Sequence, residues 1–416
     1  MPQLPRTTIN LPAKRAVVIG AGSFGTAVAV LLARSGVRTT LQTRTDEQAR
    51  TLAERRENTT YLRGVELPKD LRIETTAAGL ARADYVFLGV PSSRMDPVIA
   101  DLENRGLQSR AAVVSLAKGL VPPAGTPPTQ LLLQRFGPGR TACLGGPAHA
   151  AEMVREGAGL VAASADETLA HTLSQAFIKA GVVCETSNDP VGVELAGAAK
   201  NAAALASGAT EAQGLNAAGA AAGHIFAEVW RWAESLGARP ESMIGLAGTG
   251  DLVATALAPA SRNRRAGELL AAGVAARDIP ERIGQAVEAL ESVPLLARAL
   301  QDASLNAPVT IALAKLIEGT LPLDDWVSTV RTTVPPPARW RPQVRPGFWR
   351  RLRERIRALF TRRRSAAPEL GTPEPRPAEP RAADAPSANP GSTNPASTNP
   401  VSSDTGASHA GPPHVG

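Results

Sequence analysis

A lysine enclosed by small residues is the first place in this chain where proton chemistry could be done. Residues 191–205, VGVELAGAAKNAAAL, read as a helix on which Glu194, Gly197 and Asn201 fall at helical spacing, with Lys200 beside them. Ala196, Gly197, Ala198 and Ala199 allow another backbone to come close. An ammonium in such surroundings sheds water, so its pKa falls and it can exchange a proton near neutrality. A second lysine, Lys118 in AKGL, follows the apolar run 111–116 and falls at a strand's carboxyl edge, where a cation can reach a ligand. Ser261, Arg262 and Asn263 open a helical stretch over 261–272. Arginine ordinarily favours the other end of a helix, so Arg with Asn at a helix start points to an anion site for phosphate or carboxylate. Asp251 lies in what reads as a glycine loop, GTGDLVATA at 248–256, and Gln285 and Glu288 lie in GQAVEAL at 284–290. His149, His171, His224, His409 and His414 lack metal-ligand spacing, so no metal site is expected. His149 reads as a loop residue near the site rather than a base.

The elements that must position these groups are legible in order. Residues 15–20 form a buried strand that runs into GAGSFG, with Gly20, Gly22 and Gly25 in G-x-G-x-x-G spacing and a helix ending at Gly36. The first glycine permits the tight turn, the second lets the backbone approach a pyrophosphate, and the third packs helix on strand. The next strand, 38–43, ends at Thr43-Arg44. A cation there suits the 2′-phosphate of NADP, while Asp46 nearby keeps NAD open. Further strands are expected at 84–90, which runs into Pro91-Ser92, at 111–116, at 142–149 with a Gly-Gly-Pro turn, at 158–164 and at 181–185. Strands alternating with helices predict an α/β fold, a Rossmann-type doubly wound sheet over 14–187. From Asn188-Asp189-Pro190 onward the pattern is helical and rich in Ala and Leu, which predicts an all-helical substrate-binding domain over 188–330.

The net charge of +7 is unevenly distributed. Residues 331–364 carry twelve Arg against one Glu, and residues 365–416 carry two Arg against five acids, so residues 1–330 sit near −1. The basicity is one local device, and no nucleic-acid partner is expected for the body. Residues 331–346 are a Pro- and Arg-rich linker by composition. Residues 347–364, GFWRRLRERIRALFTRRR, read as a basic amphipathic helix with Phe348, Trp349, Leu352, Ile356, Leu359 and Phe360 on one face, suited to an anionic membrane surface. Residues 365–416 are rich in Pro, Ala, Ser, Thr and Asn and are expected to stay disordered. Two cysteines, Cys143 and Cys184, argue for a reducing compartment rather than a disulfide framework. Neither a secretory signal nor a membrane span is read, so the expected location is the cytoplasm, with peripheral attachment to the inner face of the membrane open.

Together these stretches resemble the NAD(P)-dependent glycerol-3-phosphate dehydrogenase family of bacteria. The resemblance covers roughly residues 15–330 and rests on GAGSFGTA, VPS at 90–92, AKGL at 117–120, GPAHAAE at 146–152, GVELAGAAKN at 192–201, GLAGTGDL at 245–252, SRNRR at 261–265 and GQAVEA at 284–289. It implies reversible reduction of dihydroxyacetone phosphate to sn-glycerol 3-phosphate by NADP or NAD, feeding glycerophospholipid synthesis. Carried onto this chain, it implies that Lys200 is the proton donor and acceptor at the C2 oxygen, that Lys118 bridges cofactor and substrate, and that Asp251 orients the catalytic group. Gly146, Asn201, Ser261, Arg262 and Asn263 match substrate-binding positions. Ser23, Phe24, Arg44, Ala150, Arg262, Ala286 and Glu288 match cofactor-contacting ones, alongside the three glycines. The chain departs from the family's pattern at Ala148, Ala218, Gly223, His224 and Ala289. Those departures keep two other readings open: a dehydrogenase of another phosphorylated hydroxy compound, and a non-catalytic, membrane-associated nucleotide-binding homologue. A homodimer is a further expectation without a sequence signal of its own.

Overall fold

The computed structural model describes residues 14–258 and 261–334. Ten strands are present: β1 (Arg15–Ile19), β2 (Arg38–Thr43), β3 (Glu57–Asn58), β4 (Leu62–Glu66), β5 (Arg72–Thr75), β6 (Tyr85–Leu88), β7 (Ala112–Ser115), β8 (Thr141–Gly145), β9 (Gly159–Ser164) and β10 (Val183–Ser187). Eight of them form one sheet in the order β10-β9-β8-β7-β6-β1-β2-β5, and β3 and β4 form a separate hairpin. β1 pairs in parallel with both β2 and β6, so the chain crosses over at the carboxyl end of β1, where a sheet of this kind leaves a crevice for a ligand. Val17, Val18 and Ile19 are buried between layers of helix, which is why β1 reads as a continuous apolar run.

Two strands depart from a purely parallel sheet. β9 runs antiparallel to β8, with Cys143 opposite Ala163, and β10 then pairs in parallel with β9. Hydrophobic pattern specifies that a segment is a strand but not its direction relative to a partner, so alternation alone could not show this. The last described helix, Leu323–Thr332, runs two residues into the stretch read as a linker. The remaining linker, the amphipathic segment and the tail lie outside the described residues.

The helix Pro190–Thr210 is the centre of the molecule. Pro190 occupies its first turn, and the Asp189 side chain accepts a hydrogen bond from the Gly192 N–H at 2.8 Å to cap it. All of its residues except Val191 and Ser207 are buried. A helix buried all round must be small and apolar on nearly every face. One side meets Cys143, Val161 and Ala163 of the sheet, and the rest meets the helices that follow, so a single core joins the two predicted domains across residue 188. The helix Arg262–Ala271 crosses it at backbone contact. A Cβ on Gly267 would collide with the carbonyl oxygen of Leu205, and one on Gly208 with that of Arg264. This crossing fixes the predicted anion-binding residues relative to Lys200.

Candidate active site

Lys200 projects from the central helix and is only 7% exposed. Its Nζ lies 3.5 Å from Asp251 Oδ1 and donates to Thr255 Oγ1 at 3.2 Å. Lys118, just beyond β7, donates to the other Asp251 oxygen at 2.6 Å and to the carbonyl of Gly146 at 3.0 Å. Two ammonium groups therefore share one buried carboxylate. Burial pushes Asp251 up, but Lys118 and Lys200 more than reverse this and hold it below its ordinary value. For Lys200, burial is the largest effect and the neighbouring Lys118 adds to it, bringing the ammonium down to about 8 against the pull of Asp251 and Glu288.

The segment carrying Asp251 corrects the loop expected at 248–256. Leu246–Gly250 makes a π-helical turn, and Asp251 opens the helix Asp251–Leu257. Glycines suggest a loop, but here they serve contact: a Cβ on Gly248 would strike the Met243 carbonyl. Because the segment is helical, Thr255 stands one turn beyond Asp251 on the same face. Its hydroxyl lies 3.5 Å from Asp251 Oδ1 and accepts from Lys200. Thr255 is 3% exposed and was not singled out by sequence; reading 251–257 as a helix would have put it four residues after Asp251.

Around this triangle the predicted anion-binding residues form one connected wall. Asn201 donates to the Lys118 carbonyl at 3.0 Å and to Glu288 Oε2 at 3.1 Å, and it accepts from Asn263 at 2.8 Å. Asn263 in turn accepts from the Ala289 N–H at 3.3 Å, and Arg262 donates to the Ala286 carbonyl at 3.0 Å. Arg262 keeps its guanidinium exposed, whereas Ser261 is buried and caps its own helix by accepting from the Arg264 N–H. His149 immediately precedes the helix Ala150–Arg155, with its Nδ1 3.7 Å from Glu152. Burial and the Lys200 ammonium lower its pKa, which disfavours the imidazolium form.

The glycine turn faces the same place. Gly20 has φ +108°, and a Cβ there would collide with the Gly89 carbonyl at the end of β6. Gly22 has open space where its Cβ would be, and the helix Ser23–Arg34 begins immediately after it. A phosphate would fill that cradle and meet the helix N-terminus. Lys118 Nζ sits 5.7 Å from the Phe24 ring, which ties this turn to the lysine pair. Arg44 stands apart, exposed at the carboxyl end of β2, and Ala150 opens the helix beyond the Gly146 turn. A separate cavity of about 700 Å³, lined among others by His171, Glu185, Arg239 and Glu241, holds none of the predicted site residues. Among the described residues no cluster of metal-ligating side chains occurs.

A dinucleotide cradle opening onto a lysine pair that shares one buried carboxylate defines an oxidoreductase of the two-domain dehydrogenase class. The chain belongs to the NAD-dependent glycerol-3-phosphate dehydrogenase family: the family's N-terminal model matches residues 15–170 and its C-terminal model residues 189–328. Glycerol-3-phosphate dehydrogenase [NAD(P)+] of Deinococcus radiodurans is 38% identical over 310 residues, covering 73% of this chain and 90% of that one. The enzyme of the same name from Chlorobium luteolum is 34% identical, covering 77% and 98%. Among solved structures, glycerol-3-phosphate dehydrogenase of Coxiella burnetii superposes with a TM-score of 0.72 at 26% identity, over 77% of this chain and 99% of that one. The Plasmodium falciparum enzyme shares the fold at a TM-score of 0.69 and 18% identity, over 76% and 95%.

Proposed function

We propose that this chain reduces dihydroxyacetone phosphate to sn-glycerol 3-phosphate, reversibly, with Lys200 as the proton donor. The observation that carries this reading is the Lys118–Asp251–Lys200 triangle beside the Gly20–Gly25 turn. The nicotinamide cofactor, when bound, supplies the hydride. Reduction of a ketone builds negative charge on its oxygen. Lys200 gives that oxygen a proton, and the Lys118 ammonium stabilises the charge as it develops. Asp251 keeps both ammonium groups in place, and Thr255 fixes the Lys200 head by accepting from it. Arg262 and Asn263, held by Ala286 and Asn201, take the substrate phosphate away from the reacting carbon.

Arg44 at the end of β2 supports a preference for NADPH. The product of that reaction is a lipid-precursor phosphate, and the aromatic and Arg-rich sequence of residues 347–364 supports a location in the cytoplasm at the inner face of an anionic membrane. The test is oxidation of NADPH and of NADH with dihydroxyacetone phosphate, beside a panel of other phosphorylated ketones and unphosphorylated dihydroxyacetone. Turnover with the first and not the last supports the reading. Faster turnover with a different phosphorylated ketone replaces the substrate, and cofactor binding without any turnover replaces the activity.

A further inference from the structure

The polar stripe of the central helix contains one residue that the chemistry above does not use. Glu194 is buried and accepts three hydrogen bonds: from Ser115 Oγ at 2.7 Å, from the Thr129 N–H at 2.7 Å and from Thr129 Oγ1 at 2.6 Å. The Ser115 oxygen in turn accepts from the Ala117 N–H at 3.3 Å. Ser115 ends β7, and Lys118 follows three residues later. One turn along the helix from Glu194, Gly197 faces Lys118, and a Cβ added there would make ordinary van der Waals contact with the Cα, Cβ and Cγ of Lys118. One further turn on, Asn201 donates to the Lys118 carbonyl. Glu194 and Asn201 thus hold the strand exit at its start and its end.

We infer that Glu194 is a positioning residue for Lys118, acting through the Ser115 hydroxyl to fix the Ser115–Lys118 exit so that the ammonium reaches Asp251 and the Gly146 carbonyl. The role rests on the reading of Lys118 given above. Without the Ser115 anchor the Ala117 peptide loses its acceptor and the exit is held from the Asn201 side alone. A displaced Lys118 carries away a positive charge that lowers the Lys200 pKa, and leaves Asp251 to pair with Lys200 alone. The charged and titratable groups that face Lys200 are Lys118 beyond β7, Asp251 on its helix, Glu288 across Asn201, and His149 at the Gly146 turn. Loss of the Lys118 field therefore raises the Lys200 pKa.

Two variants separate positioning from plain stability. Ser115→Ala and Thr129→Val each remove one hydroxyl donor from the same carboxylate, so each perturbs Glu194 similarly, but only the first touches the path to Lys118. For the full chain with NADPH and dihydroxyacetone phosphate, Ser115→Ala is expected to lower kcat/KM by about ten- to a hundredfold, the scale of a small misplacement of a reacting group. It also moves the alkaline inflection of the rate to higher pH. Thr129→Val keeps the parental rate and inflection with a comparable loss in thermal midpoint. Glu194→Leu reproduces the shift of Ser115→Ala, and the double variant adds nothing to either single change. Parental rate and inflection in Ser115→Ala, equal kinetic losses in the two hydroxyl variants, or additive losses in the double variant would overturn the inference. A parent inactive with dihydroxyacetone phosphate would instead remove the functional reading itself.

Discussion

Lys200 sits between opposing fields, and their balance sets a pH dependence. Burial and Lys118 favour the neutral amine; Asp251 and Glu288 favour the ammonium; the outcome is about 8. Ketone reduction needs the protonated form, so its rate is expected to be level below that value and to fall as pH rises through it. Alcohol oxidation needs the free amine and is expected to rise over the same interval. Two profiles with the same slope would remove Lys200 from the proton path. Lys200→Ala is expected to lower turnover by about two to four orders of magnitude with little change in cofactor affinity. Arg44 carries a separate prediction. Arg44→Asp repels a 2′-phosphate and can accept from a ribose hydroxyl, so kcat/KM is expected to shift from NADPH towards NADH. An unchanged ratio would show that the choice is made elsewhere. Both lysines were legible in the sequence, because one stands in a run of small residues and the other directly after a buried strand. Thr255 was not, because the glycines at 248 and 250 look like a loop. Nor were the partners of Glu194, which lie 79 and 65 residues away and leave no local pattern.

At the level of elements, buried carboxylates satisfy the starts of helices. Asp189 caps its own helix and also accepts from the Arg239 N–H and the Ser242 hydroxyl, both at 2.7 Å. Glu194 closes the start of Pro128–Phe136 from outside, through Thr129. Glu228, on the helix Leu215–Ser235, does the same for Pro308–Glu318, accepting from the Val309 N–H, the Thr310 N–H and the Thr310 hydroxyl at 3.1, 2.8 and 2.6 Å. Each of the three helices begins with proline and leaves its early N–H groups in need of acceptors, which only a side chain reaching in can satisfy away from water. Glu228→Ala strands three donors in a dry place and is expected to cost about 2–3 kcal/mol. The urea midpoint should fall, while kcat stays parental. An unchanged midpoint would mean that water replaces the carboxylate. The sequence announced these helices by their Asn-Asp-Pro and proline starts only in part. Asp189 is adjacent to its helix and was readable; Glu194 and Glu228 act at a distance. The strands β1, β6, β7, β8 and β9 were easier, since both faces of the sheet are covered there and each is a largely apolar, buried run. The hairpin β3–β4 and the edge strand β5 carry charged residues among few buried ones and show no such run.

For the whole molecule the decisive feature is where the charge lies. A body near −1 precedes a segment of twelve Arg against one Glu, so the net +7 describes neither part. No helix among the described residues is long and apolar enough to cross a membrane. The attachment to a lipid surface proposed above draws on the sequence of residues 347–364. Arg350, Arg351, Arg353, Arg355, Arg357, Arg362, Arg363 and Arg364 each gain about 1 kcal/mol near an anionic leaflet. Burying one large apolar side chain adds about 1.5–3 kcal/mol, and the sequence offers Phe348, Trp349, Leu352, Ile356, Leu359 and Phe360. The binding is accordingly expected to be reversible and to weaken as salt screens the arginines. A purely electrostatic tail that attracts phosphates of any kind would have no use for Trp349 and Phe348. The full chain should co-sediment with anionic vesicles and not with neutral ones, and a chain ending at Val334 with neither. Trp349→Ala with Phe348→Ala should weaken the binding while leaving turnover in solution unchanged. Equal sedimentation of the long and short chains, or binding to nucleic acid but not to anionic vesicles, would exclude the membrane role and leave the dehydrogenase reading intact.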